Sequence, residues 1–563
     1  MALRSRLTLA VFLGAAYLAL ALVATYPLIL KFTEAVPGGG DVWQFINQFW
    51  WFKKALIEQK VNPYFDPYMF YPTGVSLAST TLTPFNTLLS VPLQFLFNLP
   101  TTYNILFLLT FVMTGYGTFA LARYLIEDRW AAFGSSIIFT FCSYRLMRGL
   151  GHLNLLTTQF IPLYILFLIR TLRTRKTSDA LLAGLFLALV GLSSEIYLVQ
   201  VAVLSLIFSP VVFLWNKERS LKGLVRPLLL GLGAFLVIAL PFYYSTASLV
   251  YSRDANLGLP LSYVSMNSVD LLAYFTPNLG TVLYDSLFSG VYSHFTASPI
   301  EATVFIGYTT IALATFASIR QRSRETHLWA ALALVFAGLS LGPELHLYGL
   351  SIFDLPYKIV IFPLASFYIP SRYSLTCLLS FSMLAGYGFR RLSADRRIRS
   401  RNLIGIALCV LILIESLIIP YPVTAATAPS IYYQMRADQE PYAIMEVPLS
   451  PFPVHMARYL YYQTIHEKPI VGGWVSRLPQ STLRSFEQTP LVAALVAIHS
   501  GTQVNPSDVA RGLQMLRENN VRYIIVHSAL LLPSELQQIE DIFGQLPKQI
   551  TDDANDPLII YSL

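Results

Sequence analysis

Long apolar runs divide residues 1–422, and the charges between them are sorted by sign. Runs of the length a membrane helix needs, roughly 20 residues, fall at 7–30, 103–124, 131–148, 152–170, 179–195, 196–215, 227–246, 301–319, 327–342, 371–390 and 402–422. Most basic residues sit in alternate connections: Arg4/Arg6, Arg123/Arg129, Arg170/Arg173/Arg175/Lys176, Lys217/Arg219/Lys222/Arg226, Arg320/Arg322/Arg324 and the cluster from Arg390 to Arg401. Basic loops stay in the cytoplasm. The pattern predicts eleven crossings, with the N-terminus inside and the C-terminus outside. The opposite loops carry Asp41, Asp66, His152, Glu195, Asp270, His294, Glu301 and Arg372. Reactive side chains gathered at one face are what an enzyme of the outer leaflet needs.

Residues 84–98 are apolar but short and hold two prolines, and a crossing there would invert every later loop. They read as a juxtamembrane or re-entrant helix at the outer surface. The run 7–30 is about twice the length of a signal-peptide core, and no A-x-A-like site follows it. It is expected to remain as the first span.

Three outer segments are long: 31–102, 247–300 and 343–370. The first opens on Pro37-Gly38-Gly39-Gly40-Asp41. The amphipathic stretch VWQFINQFWWFKKALIEQ follows, and its aromatic density predicts a helix lying at headgroup depth. Composition shifts near residue 423. TAATAPS (424–430) reads as a linker, and 431–563 as a soluble α/β domain outside the membrane. Its predicted strands are 442–449, 521–528 and 557–563, and its predicted helices 508–520 and 531–545.

The composition agrees. Of 563 residues, 55% are hydrophobic and only 12% charged, against about 25% charged in soluble domains. The net charge of +8 belongs to topology-setting loops, so nucleic-acid binding is not the reading. Cys142, Cys377 and Cys409 all lie in apolar runs and form no CxxC, which points to buried small hydrophobes. No nucleotide-binding or zinc-hydrolase signature occurs.

Candidate chemistry lies at the outer face. Asp41, behind three glycines at the membrane exit, is placed to be a partly desolvated general base. Asp66, in Tyr64-Phe65-Asp66-Pro67-Tyr68, sits either between sugar-stacking aromatics or at the start of a turn. Glu195 is expected at the tip of a helical hairpin, where an embedded ionisable group marks function. Glu301 opens a span and is either a site residue or a helix-terminal charge. Among the cations, Arg372 and the cluster from Arg145 through Arg148 and His152 to Asn154 are placed to meet a lipid phosphate.

The arrangement resembles the C-type (GT-C) membrane glycosyltransferases, in particular their large bacterial and archaeal branch. The likeness rests on Gly40-Asp41 directly after the first span, the stretch Phe70-Tyr71-Pro72-Thr73-Gly74-Val75-Ser76-Leu77, the segment Tyr144-Arg145 to His152-Leu153-Asn154, and Pro370-Ser371-Arg372 at a late span. It covers roughly residues 1–422. It implies an inverting transfer of sugar from a polyprenyl-phosphate-linked donor to a cell-envelope glycan, lipid or protein. Asp41 would be the base. Asp66, Glu195 and Glu301 would orient the sugars, and Arg148, His152, Asn154 and Arg372 would hold the donor. The resemblance admits a divalent cation as cofactor, although no strict DxD occurs. The rival readings are a transporter or flippase of a lipid-linked glycan and an inactive scaffold. A transporter would carry charge at mid-membrane and an internal repeat; the sequence shows no repeat, and apart from Glu415 in the last span most of its acids lie in the loops expected outside.

Overall fold

The computed structural model describes residues 2–215, 222–252, 254, 259–357, 369–393, 401–449, 456–499, 505–551 and 556–563. Lys217, Arg219, Arg396, Arg397 and Arg399, which contribute to the charge pattern, lie outside them.

The chain is mainly helical up to residue 416. Among the described residues five helices are long and apolar enough to cross a membrane: Leu7–Ala24, Leu99–Ile126, Leu153–Thr174, Glu195–Leu214 and Val225–Tyr251. Thr177–Ser193 and Leu403–Ser416 are apolar but shorter. The outer faces of these helices are oily: Leu7, Val11 and Phe12 are 65% exposed, and Val237 is 78% exposed. Apolar surface on this scale is stable only against lipid or another protein. Thr177–Ser193 and Val225–Tyr251 press together where two glycines meet. A Cβ on Gly184 would lie 2.0 Å from the Gly231 carbonyl oxygen.

Several expected runs are broken at their outer ends. The run 131–148 is two helices, Arg129–Thr140 and Ser143–Arg148, with Phe141 and Cys142 between them. The run from residue 301 is helical only at Pro299–Ala302 and again from Tyr308. The run from 371 opens as a 3₁₀ turn, Pro370–Tyr373.

Two expectations for the outer segments need correction. The aromatic helix Val42–Lys53 does not lie on a membrane surface. Every residue from Val42 to Phe52 is buried. It packs against helix Ala457–His466 of the C-terminal segment. Trp43 packs against Tyr461 with ring centroids 4.8 Å apart and planes tilted by 41°, and Arg458 lies over the Trp43 ring at 4.1 Å. Asn47 donates to the Leu460 carbonyl and to Gln463 Oε1, and Lys54 pairs with Glu467 at 2.7 Å. Its polar positions, which look solvent-facing in sequence, are spent inside the protein: Asn47 on this contact, and Gln44 and Gln48 on Thr80 Oγ1 and the Thr81 carbonyl. Second, 424–430 is not simply a linker. Strand Val423–Ala425 pairs antiparallel with Ala35–Pro37, immediately before the glycine turn.

Helix Pro84–Leu93 is only 10 residues long, and the tip that follows exposes Phe95, Leu96 and Phe97. The C-terminal segment carries a four-stranded sheet in the order Ala443–Val447, Val521–His527, Leu558–Ser562, Lys548–Thr551. The first pair is parallel and the others antiparallel. Helices Ala457–His466, Gln480–Glu487, Pro490–His499 and Pro506–Glu518 fill the crossover between the parallel strands.

Candidate functional site

The glycine turn aims Asp41. Gly38 and Gly40 take positive φ, 68° and 58°, which a side chain disfavours. Gly38 has a second reason to be glycine, since a Cβ there would meet the Leu150 carbonyl oxygen at 1.9 Å. The turn is held from both sides. Gly38 N–H donates to the Pro422 carbonyl at 2.8 Å, and Gly39 N–H to the Leu150 carbonyl at 3.3 Å. Asp41 is the residue before helix Val42–Lys53, but its carboxylate makes no capping hydrogen bond. It points to its neighbours instead, and its side chain is 30% exposed.

His152 Nε2 lies 3.6 Å from Asp41 Oδ2. Burial, then the guanidinium of Arg148 and that of Arg372, hold the imidazole well below its usual pKa, so it stands neutral beside the acid. Burial raises the Asp41 pKa, and Arg372 and the Trp474 indole oppose the shift. The Tyr103 hydroxyl, buried without a hydrogen-bond partner, is another electrostatic neighbour of Asp41.

Arg148 and Arg372 meet on Glu301. Arg148 has no exposed side-chain surface and grips Glu301 with both terminal nitrogens, Nη1 to Oε1 at 2.8 Å and Nη2 to Oε2. The Ser371 hydroxyl also donates to Glu301. Burial disfavours a charged Glu301, but Arg148 and then Arg372 outweigh it and keep the carboxylate ionised. Arg372 Nη2 stands off at 3.5 Å from Glu301 Oε1. Its side chain is 16% exposed, its Nε is buried without a partner, and no hydrogen bond from its guanidinium occurs among the described residues. A guanidinium offers five donors and is seldom left unused when buried. This one lies within electrostatic reach of Asp41.

Glu195 opens its helix and is exposed into a cleft between the first outer segment and the helices Thr177–Ser193 and Val225–Tyr251. Tyr64, Thr80, Phe242 and Tyr243 line the same cleft.

The remaining candidates stand apart. Asp66 is fully buried in strand Phe65–Asp66, where its Oδ1 accepts from the Tyr68 amide at 2.8 Å. That is the turn role, and burial pushes its pKa up to about 7. Asn154 is buried in the short helix Leu153–Leu156, two residues on from His152, with its Oδ1 unpartnered. Asp41, His152, Glu301, Arg148 and Arg372 are therefore one cluster; Glu195 is linked to it only through Arg477, which feels both Glu195 and Arg372, and Asp66 is outside it. Trp474 and Tyr103 were missed in the sequence. A Trp in a GGW turn and a Tyr inside an apolar run carry no signal of their own.

The cluster does not suit a divalent cation. The acid at its centre faces a guanidinium and a neutral imidazole, and no three His, Cys, Asp or Glu side chains converge as ligands among the described residues.

Over residues 11–370 the chain matches the family model described as a domain of unknown function, DUF6311. The chain belongs to the DUF6311 family. The DUF6311 match takes in Asp41, Arg148, His152, Glu195 and Glu301, and ends two residues before Arg372. No curated protein matches the chain in sequence. Among solved structures it is similar to the arabinofuranosyltransferase AftD from Mycobacteria, with a TM-score of 0.61 at 15% identity over 99% of this chain. This DUF6311 chain spans 40% of the length of AftD. Matches also occur to the oligosaccharyltransferase AglB from Archaeoglobus fulgidus (TM-score 0.49, 11% identity, 98% of this chain and 74% of that one). ArnT from Cupriavidus metallidurans matches with TM-score 0.47 and 12% identity, over 98% of this chain and 97% of that one. The fold assignment rests on AftD, the higher score. The DUF6311 chain thus has the fold of the GT-C membrane glycosyltransferases.

Proposed function

We propose that the protein is a membrane glycosyltransferase. It takes a sugar from a polyprenyl-phosphate-linked donor and passes it to a hydroxyl of a cell-envelope glycan, lipid or protein at the outer face of the membrane. The observation that carries this reading is the pair Asp41 and Arg372: an acid held partly out of water beside a largely buried guanidinium that donates no hydrogen bond.

The chemistry follows from the pair. The acceptor oxygen attacks the anomeric carbon as the bond from that carbon to the phosphate oxygen breaks. The hydroxyl proton passes to Asp41, whose raised pKa makes it a stronger base than an ordinary carboxylate. Negative charge collects on the leaving phosphate, and the Arg372 fork is oriented before it arrives. A single displacement inverts the anomeric centre. Arg148 and Glu301 are positioning residues in this scheme: their two-point ion pair fixes the carboxylate against which Arg372 rests. His152, neutral, adds no competing charge beside the base. Glu195 orients the acceptor from the cleft.

The charge pattern supports eleven crossings. They comprise the five long helices, the two shorter apolar ones, the broken pair from Arg129 to Arg148, and the helices Tyr308–Arg320, Arg324–Ser340 and Ser374–Ser393. Residues 1–422 are then the catalytic part and 423–563 an outer domain. A reporter active only in the cytoplasm, fused after Leu563, gives no signal if this is right.

The direct test is turnover by purified protein. Asp41→Asn lowers sugar transfer by about 10²- to 10⁴-fold, the usual share of a general base, with an unchanged melting temperature. Wild-type activity falls as the pH drops through the raised Asp41 pKa. Retained turnover in the variant removes Asp41 from the mechanism.

A further inference from the structure

The motif from Phe70 to Leu77 serves as the seat of a strap. Residues 469–477 of the C-terminal segment run across it. Ile470 N–H donates to the Tyr68 carbonyl at 2.8 Å, Tyr71 N–H to the Ile470 carbonyl at 3.0 Å, and Phe70 N–H to the Gly472 carbonyl at 2.9 Å. On its other side the strap is bonded to the C-terminal sheet: Ile444 N–H donates to the Pro469 carbonyl at 2.9 Å, and Val471 N–H to the Ile444 carbonyl at 3.0 Å. A Cβ on Gly473 would lie 2.9 Å from the Phe70 ring, so the close approach requires glycine there. Further on, the Ser476 and Thr81 hydroxyls bond at 2.5 Å, and Ser476 N–H donates to Thr80 Oγ1 at 3.3 Å.

This seat delivers two side chains to the cluster. The Trp474 indole N–H is buried near Asp41, close enough to influence its charge, yet it makes no hydrogen bond of normal geometry. Thr80, bonded to the strap at Ser476, lines the cleft into which Glu195 is exposed. The next residue, Arg477, is half-buried and lies within electrostatic reach of both Glu195 and Arg372. Two guanidiniums within electrostatic reach of each other repel. The strap is pinned by five backbone bonds and two glycines, so it holds Arg477 there despite that cost.

We propose that the strap is part of the donor site, and that Arg477 shares the donor phosphate with Arg372. Like charges held within electrostatic reach of each other are stabilised by an anion that both can meet, and the guanidinium fork suits phosphate oxygens. The C-terminal segment is then a component of the site, not an appendage. This inference rests on the glycosyltransferase reading.

The test is polyprenyl-phosphate binding to the purified full chain, with melting temperature as the folding control. Arg477→Gln weakens binding by about tenfold or more, the loss expected for a charge-assisted hydrogen bond. Arg477→Lys weakens it less, because the charge stays and the fork is lost. The double variant Arg477→Gln with Glu195→Gln separates ligand from partner. If Arg477 only neutralises Glu195, the double variant binds as wild type does, and the proposal is overturned. If Arg372→Ala weakens binding while Arg477→Gln does not, the strap is structural and the glycosyltransferase reading survives. If the wild-type chain does not bind polyprenyl phosphate at all, that reading fails and takes this inference with it.

Discussion

Two charge clusters of this protein use similar groups in opposite ways. In the C-terminal sheet His527 is 1% exposed and sits between two acids. Its Nε2 meets Glu446 at 2.9 Å and its Nδ1 meets Asp556 at 2.9 Å. Tyr432 donates to Glu446 at 2.9 Å, and Tyr462 to Asp556 at 3.0 Å. Both ring nitrogens are taken. In the cluster around Asp41, Asp41 and His152 stand 3.6 Å apart, Arg372 stands 3.5 Å from Glu301, and Arg372 Nε, His152 Nδ1 and Trp474 Nε1 have no hydrogen-bond partners among the described residues. A buried polar group costs free energy unless it is hydrogen-bonded. The first cluster meets that cost internally and is structural. The second leaves it unmet, which is the arrangement of a site that a ligand completes.

The largest effect expected of the structural cluster is on stability. Burial works against an imidazolium at His527, but Asp556 and Glu446 outweigh it and push its pKa up to about 9. A histidine with a raised folded-state pKa contributes stability that is fully present below its unfolded value, near 6.5, and is lost as the pH rises through about 9. Thermal unfolding of the C-terminal segment should follow that window. His527→Ala, which strands two acids, should cost about 3–5 kcal/mol. A variant as stable as wild type, or a melting temperature flat from pH 6 to 10, would place this cluster with the unsatisfied one.

Next in size is the effect of Arg372 on donor binding. Arg372→Ala should weaken polyprenyl-phosphate affinity by well over tenfold, consistent with the roughly 2–5 kcal/mol that truncating a desolvated charge partner costs. Arg372→Lys should weaken it less. Equal affinities in both variants would make Arg372 an interfacial anchor. The smallest effect belongs to Asp66. Its folded pKa of about 7 lies above the unfolded value, so its ionisation costs stability as the pH rises from about 4 through 7. Asp66→Asn should leave turnover unchanged and melt no lower than wild type at pH 8. A loss of turnover would bring Asp66 back into the site.

The sequence showed the helical membrane character and Asp41, because hydrophobic period and the Gly-Gly-Gly-Asp turn are local signals. Glu301, Arg148 and Arg372 were legible as candidates too, each at or beside the end of an apolar run. Their shared geometry was hidden, since residues 148, 301 and 372 meet only through the breaks at the helix ends. Helix Val42–Lys53 was misread because an aromatic stripe looks the same whether lipid or another helix covers it. The pairing of 35–37 with 423–425, and the strap over Phe70, are long-range contacts between short segments of ordinary composition. Asp66 shows the converse. Its aromatic neighbours suggested a sugar site, and burial assigned it to a turn.

The most direct measurement is an experimental structure of the full chain with polyprenyl phosphate bound. The account predicts phosphate oxygens within hydrogen-bond distance of the Arg372 guanidinium, on the side facing Asp41, with the Arg148–Glu301 pair unchanged. Phosphate bound elsewhere, with Arg372 still making no hydrogen bond, would contradict it.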